Sequence, residues 1–302
     1  MTSSHHQPCL SLIRFLVGVT SVSTCSVLLA ADESTMSLIE RAWRERQDKT
    51  ISFRLRWKQS RVLKTGHDPS NPFGADSTTS AYVAHDYEQL LAVQDGKYRF
   101  FSSEPAKNAQ TGDWMRKEST DVSNGVTAKN FTKRDTSYLP LSGSDSKHKP
   151  LEESIVFTMS DLRPVTLHFR PFLLSPPVLA GFTVSKERGE ADGKPCLIIR
   201  RLVPSQPTVT EALWVDPEQQ YSVRRRTQEY QGKVFYQLDV QYRLDNAGPV
   251  PTGWHEDMYY AGDGTLTKSL QATVVSSEVN ATLPESEFEL AFPPGTKIPD
   301  GT

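Results

Sequence analysis

Leu213 to Arg243, LWVDPEQQYSVRRRTQEYQGKVFYQLDVQYR, reads as three strands joined by two turns. In its last third Val234, Tyr236, Leu238, Val240 and Tyr242 fall on one face, and Phe235, Gln237, Asp239, Gln241 and Arg243 on the other. That period of two is what a half-buried strand requires. Asp216-Pro217 and Gln231-Gly232 supply the turns, so the stretch is an antiparallel meander. It holds no catalytic signature, and its mixed faces specify a sheet more firmly than a ligand.

The alternation continues outward from this stretch. Ile51, Phe53, Leu55 and Trp57 face one way and Ser52, Arg54, Arg56 and Lys58 the other, which predicts a long first strand. Strands are also expected at Ala81 to Val83, Glu88 to Val93, Tyr98 to Ser102, Trp114 to Glu118, Thr127 to Phe131, Ser154 to Thr158, Thr183 to Arg188, Cys196 to Leu202, Gly253 to Tyr260 and Thr265 to Val279. Asp95-Gly96, Asn124-Gly125 and Asp192-Gly193 are dipeptides that two-residue hairpins prefer, because both residues must accept positive φ. Ahead of the first strand, Ser37 to Glu40 forms a capping box and Leu38, Ile39, Ala42 and Trp43 share a stripe, predicting a short helix. Gly66 to Ser77, rich in Gly, Pro, Asn, Asp and Ser, is a loop.

Met159 to Phe182 breaks the pattern. It is dense in apolar residues but cut by Pro164, Pro171, Pro176 and Pro177, so it predicts short helical turns, with Ser160 or Asp161 as a cap. The fold class expected is mainly β with a few helices: a large curved antiparallel sheet, an incomplete barrel, wrapped around the N-terminal helix and this proline-broken apolar lid. An apolar cavity between lid and sheet would be lined by Trp57, Tyr98, Phe100, Phe169, Phe172 and Leu173. The same side chains serve equally well as solid core.

Residues 1–31 hold one charged residue, Arg14, and an apolar run too short and too interrupted to span a bilayer, which predicts a signal peptide. Thr24 directly before Cys25 argues against lipid anchoring there. The expectation is a single β-rich domain over 32–302, periplasmic or secreted, with no transmembrane segment. Losing Arg14 takes the formal charge from -2 to -3, so no basic footprint for nucleic acid exists, and Arg224-Arg225-Arg226 alternates faces as a solvated strand. Cys196 alone remains of three cysteines; it lies in an apolar strand and is expected to act as a small hydrophobe. His255 and Asp257 share a strand face but lack a third ligand, His85-Asp86 is an isolated pair, and no nucleophile elbow or phosphate-binding glycine loop occurs. The chain is therefore read as having no catalytic residues, no metal and no cofactor.

Three passages resemble the LolA/LolB-like lipoprotein-carrier superfamily. They are the helix leading into an alternating strand, Leu38 to Trp57; the succession Leu90 to Phe100 and Asp121 to Phe131; and the ending Phe288 to Asp300, similar to that family's closing strand and proline-glycine tail. The resemblance implies a periplasmic half-barrel that holds acyl chains, with a lipid or acylated protein as its partner. A non-enzymatic envelope interaction or stress-sensing module binding another protein is the alternative. Asp95 stands where the carriers place the arginine of an Arg-Pro pair, so their handling of lipoprotein does not carry over. The chain's extra length is assigned to loops around Gly66 to Ser77 and Leu139 to Pro150 and to added C-terminal strands.

Overall fold

The computed structural model describes residues 35–64, 82–107, 111–134, 142–147, 162–173 and 179–298. Residues 1–31, the loop expected at Gly66 to Ser77 and the strand expected at Ser154 to Thr158 lie outside the described residues. Thirteen strands form one sheet: β1 Ser52–Lys64, β2 Tyr82–Gln94, β3 Lys97–Lys107, β4 Trp114–Ser123, β5 Thr127–Arg134, β6 Ser142–Lys147, β7 Thr183–Ala191, β8 Lys194–Val203, β9 Gln206–Asp216, β10 Ser222–Tyr230, β11 Lys233–Asp245, β12 Gly248–Tyr259 and β13 Leu266–Val279. Among the described residues two α-helices accompany it, α1 over residues 35–49 and α2 at Arg163–Phe169.

The strand order is β6-β5-β4-β3-β2-β1-β13-β12-β11-β10-β9-β8-β7, with β1 pairing antiparallel to both β2 and β13. The sheet is open, with β6 and β7 at its two edges. Among the described residues α2 falls between these two edge strands in sequence. Leu162, Val165 and Phe169 pack it onto the sheet's inner face.

Most local readings hold, several with longer strands than expected. Asp95-Gly96, Asp192-Gly193 and Gln231-Gly232 adopt paired left-handed φ values of 50 and 76°, 53 and 67°, and 51 and 76°. Such pairs close two-residue hairpins whose twist matches the strands. Asn124-Gly125 departs from that expectation. Only Gly125 has positive φ, Ser123 pairs with Ala128, and the Asn124 carboxamide accepts bonds from the Val126 and Thr127 N–H groups. Asp216-Pro217 opens a 3-10 turn, Pro217–Gln219, followed by left-handed Gln220 and Tyr221, rather than a tight turn. Within the expected loop Leu139 to Pro150, Ser142–Lys147 is strand β6.

In α1 the helix is already formed at residue 35, so Ser37 lies inside it and does not cap it. Its buried stripe is Ile39, Trp43 and Arg46, whereas Leu38 is 37% exposed. A bulge also inverts part of the opening pattern. Gln228 pairs with Tyr236 and Glu229 with Val234, which leaves Phe235 unpaired. Phe235 turns into the core and Val234 turns outward, the local reversal that one inserted residue produces.

The inner face carries the main core: Phe53, Leu55 and Trp57 of β1, Leu91 and Val93 of β2, Tyr98 and Phe100 of β3, Leu238 and Val240 of β11, Trp254 of β12 and Leu270 of β13. Trp57 and Trp254 meet edge to face at 5.5 Å, an arrangement worth ~0.5–1.5 kcal/mol beyond burial. The outer face gains its cover from the C-terminal segment. Phe288 is buried with Ala92, Val122 and Leu283, Lys97 pairs with Glu285 at 2.7 Å, and the Gly143 N–H donates to the Lys297 carbonyl. The closing strand implied at Phe288 to Phe292 is not formed; a 3-10 turn, Glu285–Phe288, leads into irregular backbone there.

Candidate functional site

The inner face beneath α2 is where the sequence places a cavity. Pro164 stands in the first turn of α2, where a missing N–H has no consequence, and Pro171 follows its end. The N-cap residue is Leu162, without a side-chain bond; Ser160 and Asp161, the expected caps, lie outside the described residues. Every residue of the helix except Arg163 is buried. Leu162, Val165 and Phe169 join the sheet core, while Leu167 joins a second cluster with Ile39, Trp43, Phe182, Ile199 and Leu213. A short helix buried on all sides is a plug seated in the trough of the sheet.

Guanidinium groups clip α2 to α1. Arg46 Nε donates to the His168 carbonyl at 2.9 Å, and Arg170 Nη2 donates to the Thr50 carbonyl at 2.6 Å. Both satisfy carbonyls near helix ends that have no intrahelical donor.

Four of the six expected cavity residues come together. Trp57, Tyr98, Phe100 and Phe169 lie in one cluster, none more than 7% exposed, and the Phe169 ring stacks on Phe53 at 4.6 Å and 15°. Phe172 is apart from them, half-buried against the second cluster, with the Arg44 guanidinium 4.4 Å over its ring. Leu173 ends the 3-10 turn Pro171–Leu173, and its side chain is outside the described residues.

His168 of α2 is almost fully buried, and burial first, then the charge of Arg46, holds its pKa well below 6.5. The neutral ring donates from Nε2 to the Pro249 carbonyl at 2.7 Å. The unfolded chain titrates near 6.5, so below that pH it binds a proton that the folded chain refuses, and stability falls. In His168→Gln, whose amide reaches the same carbonyl, the dependence of Tm on pH between 6.5 and 4.5 is expected to flatten. Thermal melts of both proteins across that window check it.

Sequence reasoning missed an ionic row on the same face. Arg201 of β8, Glu211 of β9, Arg226 of β10, Tyr236 of β11, Glu256 of β12 and Lys268 of β13 contribute one polar group from each of six adjacent strands. Glu211 receives Arg201 at 2.7 Å and Arg226 at 2.5 Å; Glu256 receives the Tyr236 hydroxyl at 3.1 Å and Lys268 at 2.5 Å. Arg224-Arg225-Arg226 is therefore not a solvated strand. Arg224 and Arg226 are buried, Arg224 against Asp216 at 2.6 Å, and only Arg225 keeps part of its surface, beside Asp239. The available signal was parity: Glu211 shares its face with Leu213, Glu256 with Trp254, and Lys268 with Leu270.

Away from this face, His255 meets Asp257 at 3.0 Å and Gln271 at 2.9 Å and remains 40% exposed. His85 rests on the Trp114 ring, centroids 4.4 Å apart. Among the described residues no group of three His, Cys, Asp or Glu side chains is placed to hold a metal ion, and no helix is long and apolar enough to cross a membrane. Cys196 is 2% exposed and burial pushes its thiol up, away from nucleophilic use.

No family model and no curated protein matches the chain. Among solved structures it is similar to a putative outer membrane lipoprotein-sorting protein domain from Vibrio parahaemolyticus, at 11% identity and a TM-score of 0.39, over 82% of this chain and 94% of that one. It is also similar to MucB, at 10% identity and a TM-score of 0.25, over 82% of this chain and 62% of that one. Likeness at this level leaves function to the geometry of the chain itself.

Proposed function

We propose that the chain is an exported, non-catalytic, carrier-like protein that shelters the acyl chains of a lipid or an acylated protein on the inner face of its sheet, around Trp57, Tyr98, Phe100 and Phe169. One observation carries this reading. The apolar cluster under α2 draws on seven strands, from β3 through β1 and β13 to β9, whereas the seven residues of α2 span only ~10 Å. The buried residues of that cluster are nonetheless at most 7% exposed, so the apolar wall is filled by this chain's own residues. Leu162, Val165 and Phe169 occupy the trough as a guest chain would, held by stacking and hydrogen bonds, so an acyl chain competes for the same apolar wall.

A brominated fatty acid tests this, because bromine quenches only tryptophans it touches. Of the five tryptophans, Trp57 and Trp254 line the trough and Trp114 is 51% exposed elsewhere. Saturable quenching is expected, and it should shrink by more than half in the Trp57→Phe, Trp254→Phe double variant. Quenching unchanged in that variant, or absent, overturns the reading. A single stoichiometric protein partner recovered without any lipid would favour the envelope interaction module instead.

A further inference from the structure

Around Arg226 the ionic row is out of balance. Glu256 and Lys268 pair with each other, but Glu211 alone faces the guanidinium groups of Arg201 and Arg226. Arg163, the one residue of α2 that is not buried, adds a third cation: its strongest electrostatic influence is repulsion by Arg226, with Tyr236, Glu211 and Glu256 also in range. The Arg163 side chain makes no hydrogen bond or ion pair among the described residues, its backbone carbonyl alone accepting from the Thr166 hydroxyl. The Arg226 side chain is only 9% exposed, and its Nη1 is a buried donor with no hydrogen-bond partner. A buried, unpaired guanidinium N–H forfeits its hydration without replacement, and two cations within electrostatic range repel; both penalties point to a missing acceptor.

We propose that Arg163 and Arg226 form a binding site for one oxyanion, a carboxylate or phosphate, between the N-terminal end of α2 and the inner face of β10. Guanidinium groups suit this chemistry because their planar forks bind two oxygens of such a group at once. The site lies on the same face as the apolar trough. If the reading of that trough is right, the oxyanion is the headgroup of an amphiphile whose chain lies beneath α2. Loading the site removes the repulsion between α2 and β10.

The test uses three probes on the whole mature chain: inorganic phosphate, a brominated fatty acid, and the matching uncharged fatty amide. The acid is expected to bind at least ~10-fold more tightly than the amide, a preference of ~1.4 kcal/mol. Arg163→Gln is expected to erase that preference while amide binding persists. Because Arg163 takes part in no ion pair, this variant is chosen to fold; Arg226→Gln should behave likewise where it folds. Equal affinity for acid and amide, or a preference that survives Arg163→Gln, overturns the site. Inorganic phosphate separates the two proposals. A rise in Tm with phosphate that vanishes in Arg163→Gln, with neither chain bound, supports the oxyanion site and refutes the trough as a ligand site. Binding of both chains equally, with no response to phosphate, refutes the oxyanion site alone.

Discussion

Glu211→Ala is expected to destabilise the fold by about 3–5 kcal/mol, the range found when one partner of a buried ion pair is removed. The Glu211 side chain is 5% exposed and accepts from both Arg201 and Arg226, so its loss leaves two guanidinium groups buried without a counter-charge. Arg163 lies close enough to add repulsion. Urea denaturation measures the loss directly. The control is a triple variant, Arg201→Met, Glu211→Leu, Arg226→Met, which removes charges and partners together. It should recover most of the stability, because burying ions has its own desolvation penalty. A single variant within ~0.5 kcal/mol of the parent, the range of an ordinary surface substitution, would mean the row is hydrated and contributes little.

Trp57→Ala is expected to be comparably severe, at about 3–5 kcal/mol. The side chain is fully buried at the middle of the inner face, packed against Trp254, with its indole N–H directed to Gln59 at 3.4 Å. Removal leaves a void that a rigid strand cannot collapse, since β1 is held on both sides by β2 and β13. Trp114→Ala is the matched comparison, because Trp114 is 51% exposed and should change stability by no more than ~0.5 kcal/mol. Equal effects from the two substitutions would place the core elsewhere.

The sheet was legible because strand alternation is a local signal. Phe53, Leu55 and Trp57 point inward as their parity requires, and three Asp-Gly or Gln-Gly turns could be placed from chemistry alone. Bulges were not legible. Nothing local in Lys233 to Leu238 says that Phe235 is an inserted residue, since the bulge arises from pairing with β10. Cover for the outer face was also hidden, because Phe288 finds Ala92 and Val122 across more than half of the chain.

For the site, apolar clustering was readable and ionic pairing was not. Trp57, Tyr98, Phe100 and Phe169 meet because inward parity sends them to one trough, whereas Phe172 sits past the end of α2, where no periodicity reports its direction. Glu211, Arg226 and Glu256 look like surface residues in composition, and only the parity of Glu211 with Leu213 and of Glu256 with Trp254 hints at burial. Arg201 stands directly opposite Glu211, and the other partners lie on neighbouring strands at diagonal positions; that register is set by the sheet rather than by any one strand.

Anomalous diffraction from a crystal of the chain with a brominated fatty acid locates the bromine rather than inferring it. A bromine peak is expected in contact with the Trp57 or Trp254 ring, with the carboxylate toward Arg163 and Arg226. A bromine bound only at the outer face, or α2 seated unmoved on Phe53 with no bromine in the trough under saturating ligand, would contradict that expectation.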